Sequence, residues 1–126
     1  MNLTRYAPQI LGLFRILAGA MFAMHGAQKI FGMFGGMPPG VQPWIRYGAG
    51  YIELIGGALI MLGLFTRPVA FICSGTMAVA YFYGHVYGTG SFIPKVNQGE
   101  PAVLYCWLFL YIAAQGPGAF ALDKRR

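Results

Sequence analysis

The sequence predicts an all-α integral membrane protein: a four-helix bundle with both termini in the cytoplasm. Three observations predict it. Four apolar stretches take up most of the 126 residues, and 57% of all residues are hydrophobic. Only 10% are charged, against about 25% in a soluble domain, too few to cover a water-facing surface. Finally, single charges interrupt the apolar runs, above all Arg15 and Glu53. A charge at membrane depth costs several kcal/mol by most estimates, so such a residue faces the bundle interior and marks a candidate site.

The elements follow in order within one domain, residues 1–126. The first span is read over about residues 8–31, the second over 45–65, the third over 68–87 and the fourth over 101–116. The first three have the ~20 residues a helix needs to cross the hydrocarbon. The fourth is short and needs local thinning or help from its flanks. The runs are continuous rather than alternating, which favours helices over a barrel. Reading the first span as a signal peptide, with Arg5 as its basic end and Ala18-Gly19-Ala20 as the cleavage site, fits less well. The apolar segment continues past that site, and Arg15 breaks its centre. Thr66-Arg67-Pro68 reads as a tight turn joining spans two and three. Segments 32–44 and 88–100 are loops on the opposite face.

Basic residues set the orientation. Arg5, Arg67, Lys124, Arg125 and Arg126 lie on the face of the termini; Lys29, Arg46 and Lys95 lie on the other. The last three residues read as a membrane-edge anchor. The net charge of +6 does not point to nucleic acid, because the basic residues are not clustered with surface aromatics. At about 1.5 Å rise per residue, the polar residues fall into two groups. The outer one is His25, Gln28, Lys29, Glu53, His85, Asn97 and Glu100. The inner one is Arg15, Arg67 and Asp123, read as a structural closure of the cytoplasmic end. Glu53 does not match Arg15 in depth; its natural partner is Lys29 or His25.

Helical spacing supports this grouping. Gly12, Gly19 and Gly26 recur every seven residues, with Arg15, Phe22 and Lys29 beside them on one face. Such a stripe lets another helix approach closely. Gly50, Glu53 and Gly57 share a face of span two. Glu100, Trp107, Tyr111 and Gln115 share a face of span four, expected to meet the others at the bundle centre. The glycines read as packing surfaces.

Several of these segments resemble the DoxX family. Arg15 and the glycine-rich run to His25-Gly26-Ala27-Gln28-Lys29 look like its first helix. Glu53-Leu54-Ile55-Gly56-Gly57 and Leu62-Gly63-Leu64-Phe65-Thr66-Arg67 match its second helix and turn. Asn97-Gln98-Gly99-Glu100 resembles its Asn-Gly-Gly-Glu motif, with Gln98 in place of a glycine. Residues 116–123 match its C-terminal signature, with Ala121 where Ser is frequent. The resemblance implies a four-helix, multi-pass protein of the bacterial inner membrane. The family name is linked to thiosulfate:quinone oxidoreductase, and members often carry oxidoreductase names without an established activity.

The chain has no CxxC, heme-attachment or nucleotide-binding motif. Cys73 and Cys106 are expected roughly 15 Å apart in depth, too far for a disulfide. A quinone is the cofactor that suits the outer group, needing an aromatic slot with a hydrogen-bonding or proton-exchanging group at each carbonyl. His25, Lys29, Glu53, Asn97, Glu100 and Trp107 are the candidate ligand-binding residues, with Tyr105 nearby. A metal held by His25, His85 and Glu53 with Met33 or Met37 has no supporting spacing, so no metal is assigned. Two readings stay open: a redox-associated or quinone-interacting subunit serving a redox enzyme, and a non-enzymatic small-molecule binder, transporter or scaffold. The lipid bilayer is the surrounding partner, and striped helices make a homo-oligomer an expectation.

Overall fold

The computed structural model describes residues 2–37 and 41–123, so the basic tail at 124–126 lies outside the described residues. A 3-10 turn, Thr4–Tyr6, leads into α1 (Ala7–Phe31). Next come α2 (Pro43–Leu62) and α3 (Thr66–Val79), and α3 continues through a π-helical turn, Ala80–Val86. Two short helices, α4 (Tyr87–Thr89) and α5 (Pro94–Asn97), precede α6 (Glu100–Gln115). Among the described residues there is no strand.

Three helical segments, Thr4–Phe31, Pro43–Leu62 and Thr66–Val86, are long and apolar enough to cross a membrane. The fourth long helix, α6, has 16 residues, or about 24 Å at helical rise, short of the ~30 Å hydrocarbon. Leu17, Phe71, Leu104 and other large apolar side chains are exposed around the outside, as a lipid solvent permits.

Backbone chemistry sets the ends. Prolines sit in the first turns of α1, α2 and α6, where the missing N–H costs nothing. Gly32 and Gly63 end α1 and α2 at positive φ, the conformation glycine adopts without strain. The α2–α3 turn lies earlier than the sequence suggests. It runs through Gly63, Leu64 and Phe65, and Thr66 and Arg67 already belong to α3. Phe65, a non-glycine residue at φ 52°, is held there by Asp123, which accepts its amide.

The helices pack as two pairs, α1 on α2 and α3 on α6, joined by α2 on α3. The glycines explain how closely they pack. A Cβ on Gly19 would stand 2.7 Å from the Gly57 carbonyl oxygen, and one on Gly26 only 2.3 Å from the Leu54 amide nitrogen. Gly56 leaves room for the Cys73 sulfur. By contrast, α1 meets α6 through aromatic rings: the Phe22 centroid lies 4.7 Å from Phe109 and 5.4 Å from Tyr105. Ile60, Met77, Tyr81 and Ile112 complete the core.

The glycine contacts carry a prediction. At Gly26 the obstruction is backbone, which no side-chain rotation relieves. Gly26→Ala is expected to cost about 3 kcal/mol, the upper end of ordinary overpacking. Gly48, also in α2, has open space around it, and Gly48→Ala should be neutral or slightly stabilising, since alanine favours helix by up to ~1 kcal/mol. Unfolding titrations in mixed micelles compare the two; equal effects would contradict this packing.

Candidate functional site

Glu53 is 2% exposed, enclosed where α2 lies against α1. Gly50 and Gly57, on the same helix face, bring α1 close enough for Lys29 to reach in. Its Nζ donates to Glu53 Oε1 at 2.7 Å. Arg46 Nε donates to the Lys29 carbonyl oxygen at 2.7 Å, tying the end of α1 to the first turn of α2. Gln28 donates to the Gly36 carbonyl. The pair is therefore held from both helices.

Two rings lie beside it. His25, one turn before Lys29, packs edge-on to Tyr105 with centroids 6.0 Å apart. It is exposed on the side of α1. Tyr105 is buried, and its hydroxyl has no hydrogen-bond partner among the described residues. A buried hydroxyl without a partner forgoes a bond worth about 1 kcal/mol and bears its desolvation cost, so a ligand acceptor here would satisfy it.

The other candidates do not join this cluster. Asn97 anchors a separate network. Its side-chain amide donates to the Ser91 carbonyl at 2.9 Å and to the Tyr81 hydroxyl at 3.3 Å, and its side-chain oxygen accepts the Gly99 amide. Tyr81 in turn donates to the Phe92 carbonyl, and His85 Nδ1 lies 3.0 Å from the Asn97 carbonyl oxygen. The π-helical turn places Tyr81 and His85 on this loop. His25 and His85 thus belong to different clusters, and among the described residues no group of three His, Cys, Asp or Glu is arranged to hold a metal.

Glu100 is exposed in the first turn of α6. Trp107 is 65% exposed. The expectation that Glu100, Trp107, Tyr111 and Gln115 face the bundle centre is overturned, since all four are exposed. The buried stripe of α6 is Ala102, Tyr105, Phe109 and Ile112. The expected depth gap between the cysteines also fails. Ser74, next to Cys73, donates to the Cys106 carbonyl at 2.7 Å, so the two lie at similar depth. The short α6 starts lower than α3 ends, because α5 and the Asn97 network occupy the mouth. Both cysteines are free thiols, and Cys73 turns toward Gly56 rather than Cys106.

At the end carrying the termini, Arg15 is fully buried. Its guanidinium donates to the carbonyls of Ile60 (2.9 Å), Pro117, Ala119 (3.0 Å) and Phe120 (2.8 Å). It ties the C-terminal segment to α1 and α2 without any carboxylate contact. Gly12 provides the floor: a Cβ there would stand 2.3 Å from the Ala119 carbonyl oxygen. Arg67 Nη1 donates to the Ala113 and Ala114 carbonyls and so satisfies the last turn of α6. Asp123 accepts the Phe65 and Thr66 amides, both at 2.8 Å, and so caps α3.

Asp123 brings a pH dependence. Burial alone raises its carboxyl, but hydrogen bonds from Thr66 and the Phe65 amide, with the Arg15 charge, hold it below its ordinary value. The contribution to stability is therefore complete above about pH 4, the unfolded value. It is lost as pH falls through the lowered folded value, because the unfolded chain takes up the proton first. The thermal midpoint is expected to drop as pH falls below about 4. In Asp123→Asn the drop should be shallower, with a lower midpoint at neutral pH. Parallel acid profiles for the two proteins would contradict the cap.

A cavity of about 830 Å³ lies at this same end, between the start of α1, the start of α3 and the end of α6. None of the outer polar residues lines it.

The DoxX family model matches residues 10–86. An uncharacterised protein of Haemophilus influenzae is 46% identical, covering 98% of this chain and 96% of its own length. The Escherichia coli protein "Inner membrane protein YphA" is 31% identical over 99% of this chain and 100% of its own length. "Putative oxidoreductase CatD" of Bacillus subtilis is 30% identical over 88% and 82%. No solved structure matches. The chain belongs to the DoxX family.

Proposed function

We propose that this DoxX-family membrane protein binds a quinone beside the Lys29–Glu53 pair, as a subunit serving a redox partner enzyme. In this reading it lies in the bacterial inner membrane, α6 is the fourth span, and both termini face the cytoplasm. The observation that carries the reading is the buried, unpartnered Tyr105 hydroxyl beside His25, one turn from the Lys29 that pairs with Glu53. Tyr105 offers a donor to one quinone carbonyl, and Phe22 and Phe109 supply an apolar wall. His25, exposed on α1, stands where a ligand arrives laterally from the bilayer. Two-electron reduction of a quinone takes two electrons, here from the partner enzyme, and two protons. Glu53, Lys29 and His25 are the proton-exchanging groups this chain brings to the site. Asn97 and Glu100 serve in this reading to shape the mouth, and Trp107 contacts lipid.

Calorimetric titration of the pure protein in nanodiscs with a short-chain ubiquinone tests it. Binding is expected, weakened about tenfold in Tyr105→Phe, the scale of one buried hydrogen bond, and unchanged in Trp107→Phe. Failure of the folded protein to bind quinone overturns the reading. Solute flux in liposomes that is abolished by Glu53→Gln would favour a transporter instead.

A further inference from the structure

We propose that the cleft at the end carrying the termini holds one anionic phospholipid, a site separate from the quinone site. The two helix pairs meet across α1 and α6 through the rings of Phe22, Tyr105 and Phe109. Toward the termini, beyond those rings, the pairs stand apart and leave the 830 Å³ cleft. Its apolar wall runs from Leu3, through the 3-10 turn, along α1 to Phe14, with Leu11 between them, and Tyr111 of α6 faces it. Eleven steps of helical rise span about 16 Å, close to the ~15 Å depth of one leaflet's hydrocarbon. The wall is therefore as long as an acyl chain is deep.

The polar end of the cleft fits the headgroup. Arg67 lines it. Its Nη1 is taken up by the Ala113 and Ala114 carbonyls and its Nη2 donates to the Gln115 carbonyl at 3.4 Å, which leaves Nε as the donor without a partner among the described residues and free to meet a phosphate. Asp123 also lines the cleft, but each of its oxygens already accepts a backbone amide of the α3 cap. Arg5 lies two residues before the start of the cleft-lining α1 stretch. Arg5 and Arg67 against Asp123 leave the described part of this end net positive, which gives charge complementarity to an anionic headgroup rather than a zwitterionic one. That charge is what selects a phospholipid over a neutral quinone or a second copy of this chain, whose net charge is +6.

The test is native mass spectrometry of the delipidated full-length chain with dioleoylphosphatidylglycerol or dioleoylphosphatidylcholine. One phosphatidylglycerol per chain is expected, retained about tenfold more strongly than phosphatidylcholine, the scale of one or two basic contacts near the membrane surface. Ala7→Trp fills the cleft from an exposed position and removes none of the Arg15, Arg67 or Asp123 bonds. It should leave the thermal midpoint unchanged and erase the phosphatidylglycerol preference. Equal retention of the two lipids, or undiminished phosphatidylglycerol binding to Ala7→Trp, overturns the proposal. So does a quinone that binds wild type but not Ala7→Trp, which would also move the quinone site to this cleft. Loss of quinone binding in Tyr105→Phe alone leaves the lipid site standing.

Discussion

Arg15→Met is expected to be the most damaging single substitution in the chain. Arg15 donates to four backbone carbonyls drawn from α2 and the C-terminal segment, and it is fully buried. Methionine keeps the stem and removes every donor. Each carbonyl left without a partner costs about 1–3 kcal/mol. Even if half of them find lipid-interface water, the loss is of order 4 kcal/mol, a large part of a typical total of ~5–15 kcal/mol. Arg15→Lys should recover only part of this, because an ammonium lacks the planar fork that reaches several carbonyls at once. Hydrogen exchange localises the effect: amides of residues 118–123 should lose protection before those of α1 and α2. An Arg15→Met protein within about 1 kcal/mol of wild type would show that the guanidinium does not hold this end together.

The second large effect is an asymmetry within the Lys29–Glu53 pair. Lys29→Met leaves the Glu53 carboxylate enclosed at 3% side-chain exposure with no counter-charge. Breaking a buried pair from one side costs about 3–5 kcal/mol. Glu53→Met should cost less. The Lys29 side chain is 15% exposed and near the end of α1, so its long stem can carry the ammonium toward water. The double variant Lys29→Met/Glu53→Met should recover most of the Lys29→Met loss, because no charge remains to be buried. A double variant as unstable as the sum of the singles would mean that the two residues act independently. Reversing the pair, Lys29→Glu with Glu53→Lys, should be tolerated better than either reversal alone. Reversing Arg15 together with Glu53 should rescue nothing, since Arg15 is bonded to carbonyls at the other end.

These two residues also show what the sequence made legible. Arg15 and Glu53 were visible as charges in apolar runs, and the seven-residue glycine spacing placed Lys29 on the face that meets Glu53. The partners of Arg15 were not visible. They are backbone carbonyls of a non-helical segment, and no side-chain periodicity locates such atoms. Asp123 was placed at the correct end, but its role as the α3 cap depends on the left-handed Phe65, which no residue preference signals. Trp107 was assigned to the wrong face because α6 is apolar all round. Its polar residues, Glu100 and Gln115, sit at its two ends and reflect the ends of the helix rather than its inner side. The spacing of Ala102, Tyr105, Phe109 and Ile112 carried the correct face, with small and aromatic residues at three and four apart. Tyr81 was missed entirely. Its signal, if any, is its position four residues before His85 on a helix face turned toward Asn97.

The central claim is that the polar interior divides into a holding cluster around Arg15 and a binding cluster around Glu53 and Tyr105. Quinone titration of the folded Lys29→Met/Glu53→Met variant tests it most directly, because that variant keeps the Arg15 cluster whole. The account predicts a protein that unfolds close to wild type and no longer binds quinone at concentrations that saturate wild type. A folded double variant that binds quinone as tightly as wild type would contradict it.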